Sequence, residues 1–283
     1  MKRLPVGVVA VSLACLSTIA YSTDSLVFGI HPYRSHAELR EMFTPLAEYL
    51  SRRTGKPVEV RIGVSYESHF NAIVNGEVDL AFIGPALFVQ LTDKYGVPNL
   101  LARLEINGSP TFAGKIFAKE GAGIHSLDDL KGTHFAFGSK SSTMSHLVPR
   151  QLLFEAGIDI DDFSSHHFFS SHDNVALAVL SGDADAGAVK EAVFKKYRQQ
   201  GLIEIATTSK ISEHLFITPS GTDREMTRLL REQLLNLSAD KAETARVLHP
   251  IKKTATALVR VEDSDYKKLR DIFTALRVRG VVE

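Results

Sequence analysis

The chain has 283 residues, of which 44% are hydrophobic and 23% are charged, and its formal net charge is zero. This composition is that of an ordinary globular protein, and the length suits two domains of roughly 100–150 residues each. A chain without an excess of positive charge lacks the basic surface on which nucleic-acid binding depends, so we expect no nucleic-acid partner.

The N-terminus is typical of an export signal. The basic pair Lys2-Arg3 precedes an apolar run from Leu4 to Ala20, and Ala20-Tyr21-Ser22 fits the small-residue pattern of a cleavage site. We therefore predict a signal peptide over residues 1–22. The apolar run is also about as long as a short membrane span, so an uncleaved membrane anchor stays an alternative.

Cys15 is the only cysteine of the chain. Together with Ser12-Leu13-Ala14 it partly resembles a lipoprotein cleavage box, although Ser12 stands where an aliphatic residue is usual. A lipid anchor on Cys15 therefore stays an alternative to cleavage at Ser22. Cleavage at Ser22 would leave a mature chain without a thiol, so we expect no disulfide and no thiol chemistry.

Strands and helices alternate along the chain, which is typical of an α/β fold. Leu26–Ile30 predicts a strand, and apolar residues at the helical period from Leu39 to Leu50 predict a helix that Pro45 should kink or restart. Strand-like and helix-like segments continue to alternate as far as Thr218. The remainder is predicted to be helical, over Asp223–Leu237, Asp240–Leu248 and Ser264–Leu276.

One pattern of turn, helix, glycine and strand occurs twice, at Ser65–Ala81 and at Ser171–Gly187. When the glycines that end the two helices are aligned, Tyr66 meets His172, each at the start of its helix. A pattern repeated at domain spacing predicts two similarly built lobes with Tyr66 and His172 facing each other, where ligands of α/β sheets bind. Coincidence in a short pattern stays the alternative.

A hydroxyl-rich turn joins the strand-like run His134–Phe137 to a helical run, Leu147–Ala156, and contains Ser141, Ser142 and Thr143. The start of a helix exposes backbone N–H groups without partners, and the helix dipole favours negative charge there. The hydroxyls add uncharged hydrogen-bond donors. The turn therefore predicts an oxyanion site, although the same residues are also common as plain helix caps.

Eight stretches together carry a resemblance to a known family. They are Phe43–Leu50, Tyr66 with Gly76–Ala81, Gly84-Pro85, Ser126–Gly132, Ser142-Thr143 with Leu147–Pro149, Ser171–Asp173, Asp185–Lys190 and Asp265–Arg270. With these motifs, essentially the whole mature chain resembles the periplasmic phosphate-, phosphite- and phosphonate-binding proteins of ABC importers.

That resemblance implies a type II periplasmic-binding-protein fold, which is an α/β fold of two lobes. Each lobe is a mixed sheet flanked by helices, and the ligand lies in the cleft between them. We expect residues 23–115 and 206–283 to form lobe 1, and residues 116–205 to form lobe 2.

The resemblance also implies which residues hold the ligand. The family's oxyanion contacts carry over to Tyr66, Ser142, Thr143 and His172, and Ser141 belongs to the same turn. The pKa of His172 is expected to be lowered at a helix N-terminus.

Other positions depart from the family's pattern or are weaker candidates. Phe88 and Met144 stand where the family often has tyrosine and serine, so each would face the ligand without a hydroxyl. Lys190 is a further candidate, with a solvated side chain as the alternative. Ser209–Glu213 lacks the aspartate that can hold the amine of an aminophosphonate, so we expect a more apolar pocket.

The function that the resemblance implies is a non-enzymatic binding protein in the periplasm. It would capture a phosphorus oxyanion by hinge closure and deliver it to an ABC permease in the inner membrane, as a monomer and without cofactor or metal. A sensor subunit that docks on a membrane histidine kinase, and a binder of a different small anion, stay alternatives.

Catalysis and metal binding are weaker hypotheses. A serine hydrolase could use Ser142 or Ser145 with His146 or His172, but the chain has no Gly-x-Ser-x-Gly elbow and no legible carboxylate partner. His166-His167 could suggest a metal site. Adjacent residues of a strand point to opposite faces, however, so a surface strand is the better interpretation.

Overall fold

The computed structural model describes residues 25–282. The predicted signal peptide and Cys15 lie outside these residues. Within residues 25–282, no helix is both long enough and apolar enough to cross a membrane.

The described residues form 13 strands and nine α-helices. The strands are β1 (Leu26–Ile30), β2 (Val58–Ile62), β3 (Leu80–Ile83), β4 (Asn99–Ile106), β5 (Thr111–Phe112), β6 (Gly114–Lys119), β7 (His134–Phe137), β8 (Ser165–Phe168), β9 (Ala186–Lys190), β10 (Leu202–Thr207), β11 (Ile211–Ser212), β12 (Leu215–Thr218) and β13 (Ala255–Val259). The helices are α1 (His36–Thr54), α2 (Tyr66–Val74), α3 (Pro85–Tyr95), α4 (Val148–Glu155), α5 (His172–Ser181), α6 (Glu191–Tyr197), α7 (Arg224–Asn236), α8 (Lys241–Leu248) and α9 (Lys267–Val278).

The strands form two mixed sheets, which confirms the predicted α/β fold. The six-stranded sheet has the order β13-β4-β12-β3-β1-β2, and the five-stranded sheet has the order β10-β6-β9-β7-β8. β1 is parallel to β2 and β3, and β7 is parallel to β8 and β9. Antiparallel β12 and β6 complete the mixed pairing. We call the first sheet with its helices the first lobe, and the second sheet with α4, α5 and α6 the second lobe.

The chain leaves the first lobe once and returns once. All strands of the second lobe's sheet lie between Gly114 and Thr207, and the short pair β5-β11 joins the outgoing and returning segments. The lobe boundaries given in the sequence analysis stay predictions. This connectivity places the two lobes side by side with two crossing segments between them.

Two segments differ from a reading of the local sequence. Helix α1 continues through Pro45, so Pro45 does not mark a second helix start. The carbonyl that the missing N–H of Pro45 leaves unpaired is that of Glu41, which is exposed, so water can hydrogen-bond to it. Residues Ala255–Val259 lie between the predicted helices and form strand β13, which was not predicted, because pairing with β4 stabilises a segment too short to show a clear period.

Candidate functional site

A small cavity lies between the two lobes. It is lined by His31, Tyr66, Gly84, Phe112, Ser141, Ser142, Thr143, Met144, His172, Lys190 and His214. The volume of this cavity is about 10 Å³, which is roughly room for one water molecule or a compact ion. None of these lining residues is acidic, so no carboxylate would repel an anion in the cavity.

Strand ends and helix starts of both lobes converge on this cavity. His31 follows β1 and Gly84 follows β3, at the carboxyl ends of parallel strands. Tyr66 and His172 are the first residues of α2 and α5. Because ligands of open α/β sheets bind at carboxyl strand ends beside helix starts, the topology itself builds the site.

Tyr66 and His172 meet across the cavity, as the repeated pattern predicted. Each follows a serine N-cap, Ser65 or Ser171, whose hydroxyl accepts an N–H of the first helical turn. His172 Nε2 lies 3.2 Å from Ser142 Oγ, and Tyr66 lines the same cavity as these two residues. Burial raises the pKa of Tyr66, so its hydroxyl keeps its proton and remains a donor.

The Ser142 turn begins the helical segment four residues earlier than the helix predicted from Leu147. Ser142 caps this segment by accepting the N–H of Ser145 at 3.2 Å, and a π-helical turn over Thr143–Leu147 leads into α4. At such a start the N–H groups of Thr143 and Met144 have no intrahelical acceptor. The turn therefore supplies backbone donors as well as hydroxyls.

Thr143 joins the two lobes. Its Oγ1 accepts a hydrogen bond from the Ala86 N–H of α3 at 2.9 Å, and both groups are buried. Because this oxygen is already an acceptor, its own hydrogen is free to donate into the cavity. The contact bridges the cleft, so the lobes are closed around the site.

Lys190 lies at the end of β9, beside His172. Its Nζ stands 3.6 Å from the centroid of the Tyr33 ring, a cation–π contact, and no carboxylate within the described residues forms an ion pair with it. Burial between the lobes lowers the pKa of the ammonium well below its usual value, although the residue as a whole keeps some exposed surface. A fully solvated side chain, which was the alternative for Lys190, is not what the structure shows.

Two predicted residues need separate comment. Met144 lines the cavity, but its sulfur accepts a hydrogen bond from the Thr208 hydroxyl at 3.5 Å, so its side chain extends to the returning segment. Phe88 is fully buried in α3, packs on Tyr266 with ring centroids 4.6 Å apart, and is not among the cavity's lining residues. The structure thus brings together the other seven predicted residues without Phe88.

His31, Gly84, Phe112 and His214 line the cavity and were not predicted as site residues. His31 and Gly84 each follow a predicted strand, so the strand-end rule could have found them. Phe112 and His214 come from the crossing segments, for which local sequence patterns carry no such signal.

A larger cavity of about 340 Å³ adjoins the first and shares Phe112, Lys190 and His214 with it. Glu213 lines this second cavity and accepts hydrogen bonds from the backbone N–H and ring Nδ1 of His214, at 2.9 and 2.7 Å. Burial would raise the pKa of Glu213, but these bonds hold it below its usual value. The segment that lacks an aspartate therefore contributes a charged glutamate.

The tautomer of His172 decides what the site can do chemically. Its Nδ1 accepts the N–H of Lys190 at 3.1 Å, so the proton of the neutral ring is on Nε2. Burial, reinforced by nearby Lys190, lowers the pKa of His172 well below 6.5, in the predicted direction. A ring that carries its proton on the side of Ser142 donates and cannot take the serine proton, the reverse of a hydrolytic triad.

The chain was compared with known protein families, sequences and structures. A family model described as "ABC transporter, phosphonate, periplasmic substrate-binding protein" matches residues 28–266. The probable ABC transporter phosphite binding protein PhnD1 of Prochlorococcus marinus is 23% identical over 269 residues, which cover 87% of this chain and 88% of that protein. The phosphate-import protein PhnD of Mycolicibacterium smegmatis is 27% identical over 183 residues, 61% of this chain, and the match spans only 57% of that relative.

Two solved structures of binding proteins share this fold. PhnD1 of Prochlorococcus marinus in complex with methylphosphonate has a TM-score of 0.80 at 23% identity, covering 89% of this chain and 98% of that chain. The binding protein component of an ABC phosphonate transporter from Pseudomonas aeruginosa has a TM-score of 0.82 at 21% identity, covering 89% and 86%. The chain belongs to the phosphonate-binding family of periplasmic substrate-binding proteins of ABC transporters.

Proposed function

We propose that this protein captures a small phosphorus oxyanion, namely a phosphonate, phosphite or phosphate, between its lobes and presents it to an ABC permease. The observation that carries the proposal is the lining of the small cavity, which combines hydroxyl, imidazole and ammonium groups with no carboxylate. The resemblance to proteins named for phosphate, phosphite and methylphosphonate supports the same ligand class.

The donors come from both lobes, which supports capture by closure. Tyr66 belongs to the first lobe, whereas Ser142, Thr143 and His172 belong to the second. A charge-assisted hydrogen bond contributes roughly 1.5–3 kcal/mol, so a ligand that engages both sets stabilises the closed arrangement. In the periplasm, hinge closure of this kind would make the closed, loaded form the one that the permease recognises.

Calorimetry on the mature chain from residue 23 tests this proposal. Phosphate, phosphite, methylphosphonate, 2-aminoethylphosphonate and sulfate are titrated in turn. Binding of at least one phosphorus oxyanion is expected, with loss in Ser142→Ala. Ser139→Ala is the matched control, because Ser139 lies in the same turn but does not line the cavity. Absence of binding by every phosphorus oxyanion would refute the proposal.

A growth experiment distinguishes delivery to an importer from signalling through a sensor kinase. If the protein serves an importer, deletion of its gene abolishes growth on the bound ligand as sole phosphorus source. If it serves a sensor kinase instead, growth persists and only gene expression responds to the ligand.

A further inference from the structure

Two histidines present ring nitrogens to the small cavity, and neither was needed to explain anion capture. His31 and His214 are buried and stack on each other with centroids 5.2 Å apart and planes 16° apart. The Nε2 atoms of both lie beside Gly84, within 4 Å of where a side chain would begin at that lining residue. In the described part of the chain neither Nε2 has a hydrogen-bond partner.

The protons of these rings are held on the opposite nitrogen. His31 Nδ1 lies 3.2 Å from the Phe82 carbonyl oxygen, and His214 Nδ1 lies 2.7 Å from a carboxylate oxygen of Glu213. A carbonyl and a carboxylate only accept, so each Nδ1 must carry the hydrogen. In the neutral rings, Nε2 is then a bare acceptor that faces the cavity.

The surroundings keep His31 neutral. Burial, with help from His214 and His69, lowers the pKa of His31 well below 6.5, and burial also lowers the pKa of His214 despite Glu213. The titratable groups that face the pair are Tyr33, Tyr66, His69, His172, Lys190 and Glu213. Of these, only Glu213 is a carboxylate, and it is committed to His214.

An oxyanion in this cavity meets donors on one side and lone pairs on the other. An oxygen without a hydrogen is repelled by a bare nitrogen, and a buried acceptor that is left without a donor destabilises the complex. We propose that His31, assisted by His214, selects an oxyanion that shares one acidic proton with Nε2 of His31. This inference rests on the proposed function and narrows its ligand class.

The consequence is discrimination by proton content. Phosphate, phosphite and alkylphosphonates each lose their second acidic proton near neutral pH, so each can bring that proton or take it up on binding. Sulfate and alkylsulfonates have the same tetrahedral shape but no such proton. A site that accepts a hydrogen bond from its ligand binds an analogue without that donor much more weakly. This loss of affinity is far larger than the loss that a small difference in shape causes.

The wild-type protein tests this directly with methylphosphonate and methanesulfonate. We expect methylphosphonate to bind at least ~100-fold more tightly at neutral pH. Above the ligand's second pKa, its affinity should fall about tenfold per pH unit, because binding takes up one proton. Titration in two buffers of different ionisation enthalpy should show this uptake at about pH 8, and uptake of no proton would overturn the inference.

A pair of variants assigns the effect to His31. His31→Gln offers an amide N–H₂ that can donate to a deprotonated oxygen, so it should flatten the pH slope and narrow the discrimination about tenfold. His69→Gln is the matched control, because His69 is equally buried and its ring lies 6.2 Å from His31, yet it does not line the cavity. A pH slope in His31→Gln equal to that of His69→Gln would overturn the role of His31.

The two proposals fail in different ways. If no phosphorus oxyanion binds at any pH, the proposed function itself is wrong. If methylphosphonate binds with a flat pH profile and methanesulfonate binds equally well, the function stands and proton selection by His31 is wrong. The proton-uptake measurement needs no variant, so the inference is tested even if His31→Gln does not fold.

Discussion

The hydroxyl of Thr143 and the backbone N–H of Ala86 form a 2.9 Å hydrogen bond that links the two lobes inside the cleft. Thr143 starts the helical segment of the second lobe, and Ala86 lies in the first turn of α3 in the first lobe. Thr143 also lines the cavity where the ligand is proposed to bind. Closure and ligand contact are therefore coupled through one side chain.

Replacing Thr143 with valine should weaken both the closure of the lobes and the binding of the ligand. The change keeps the shape but removes the acceptor of the buried Ala86 N–H and the donor to the ligand, which should lower affinity for the phosphorus oxyanion at least about tenfold. Calorimetry measures the affinity, and small-angle scattering measures closure. Thr143→Ser restores the hydroxyl and should recover most of the binding. Equal affinity in Thr143→Val and wild type would contradict the coupling.

Replacing Lys190 with methionine should change affinity and stability in opposite directions. The variant loses a cation at the cavity, so oxyanion affinity should fall about tenfold or more. The ligand-free protein should melt at a higher temperature, because it no longer buries an ammonium without a carboxylate partner. Lys195→Met is the control, since Lys195 is 67% exposed and pairs with Glu191 on the same helix. A lower melting temperature in Lys190→Met would contradict this account.

Buried histidines should make the ligand-free protein sensitive to acid. Burial lowers the pKa of His69 from 6.5 to about 4 and lowers those of His31, His172 and His214 as well. These rings are neutral when folded, so their stabilising effect is present above 6.5 and is lost as the pH falls toward the folded pKa.

For His69 alone, the loss between about pH 7.5 and about pH 5 is about 2 kcal/mol of unfolding free energy. Urea denaturation at both pH values measures the difference. His69→Gln should reduce the difference by about that amount, and an unchanged difference would contradict the burial argument.

Tyrosine substitutions at two phenylalanines should behave differently. Phe88→Tyr would bury a hydroxyl without a partner in the α3 and α9 core, lowering unfolding free energy by about 1–3 kcal/mol with ligand affinity unchanged. Phe112→Tyr would add a hydroxyl at the cavity, because Phe112 lines it and stands 5.0 Å from the His214 ring. We expect its affinity for the oxyanion to change at least about threefold. A larger affinity change in Phe88→Tyr than in Phe112→Tyr would contradict the observed placement.

Much of the site followed from local sequence. The glycine-terminated repeat aligned Tyr66 with His172, and these residues do start equivalent helices and line the same cavity. The hydroxyl-rich turn was recognisable because caps, strand ends and helix starts are properties of a few neighbouring residues. Local rules did not find β13, because its pairing with the distant strand β4 determines that it is a strand.

The α/β alternation, the paired lobes and the hydroxyl-rich turn could be predicted from the sequence alone, since these depend on short-range periodicity and capping. The burial of Phe88 in the core, the burial of the Lys190 ammonium, and the positions of His31 and His214 at the cavity emerge only in the folded protein. Those outcomes depend on contacts between segments up to 183 residues apart, as His31 and His214 are. Burial, tautomer and charge are set by such neighbours, and no local pattern encodes them.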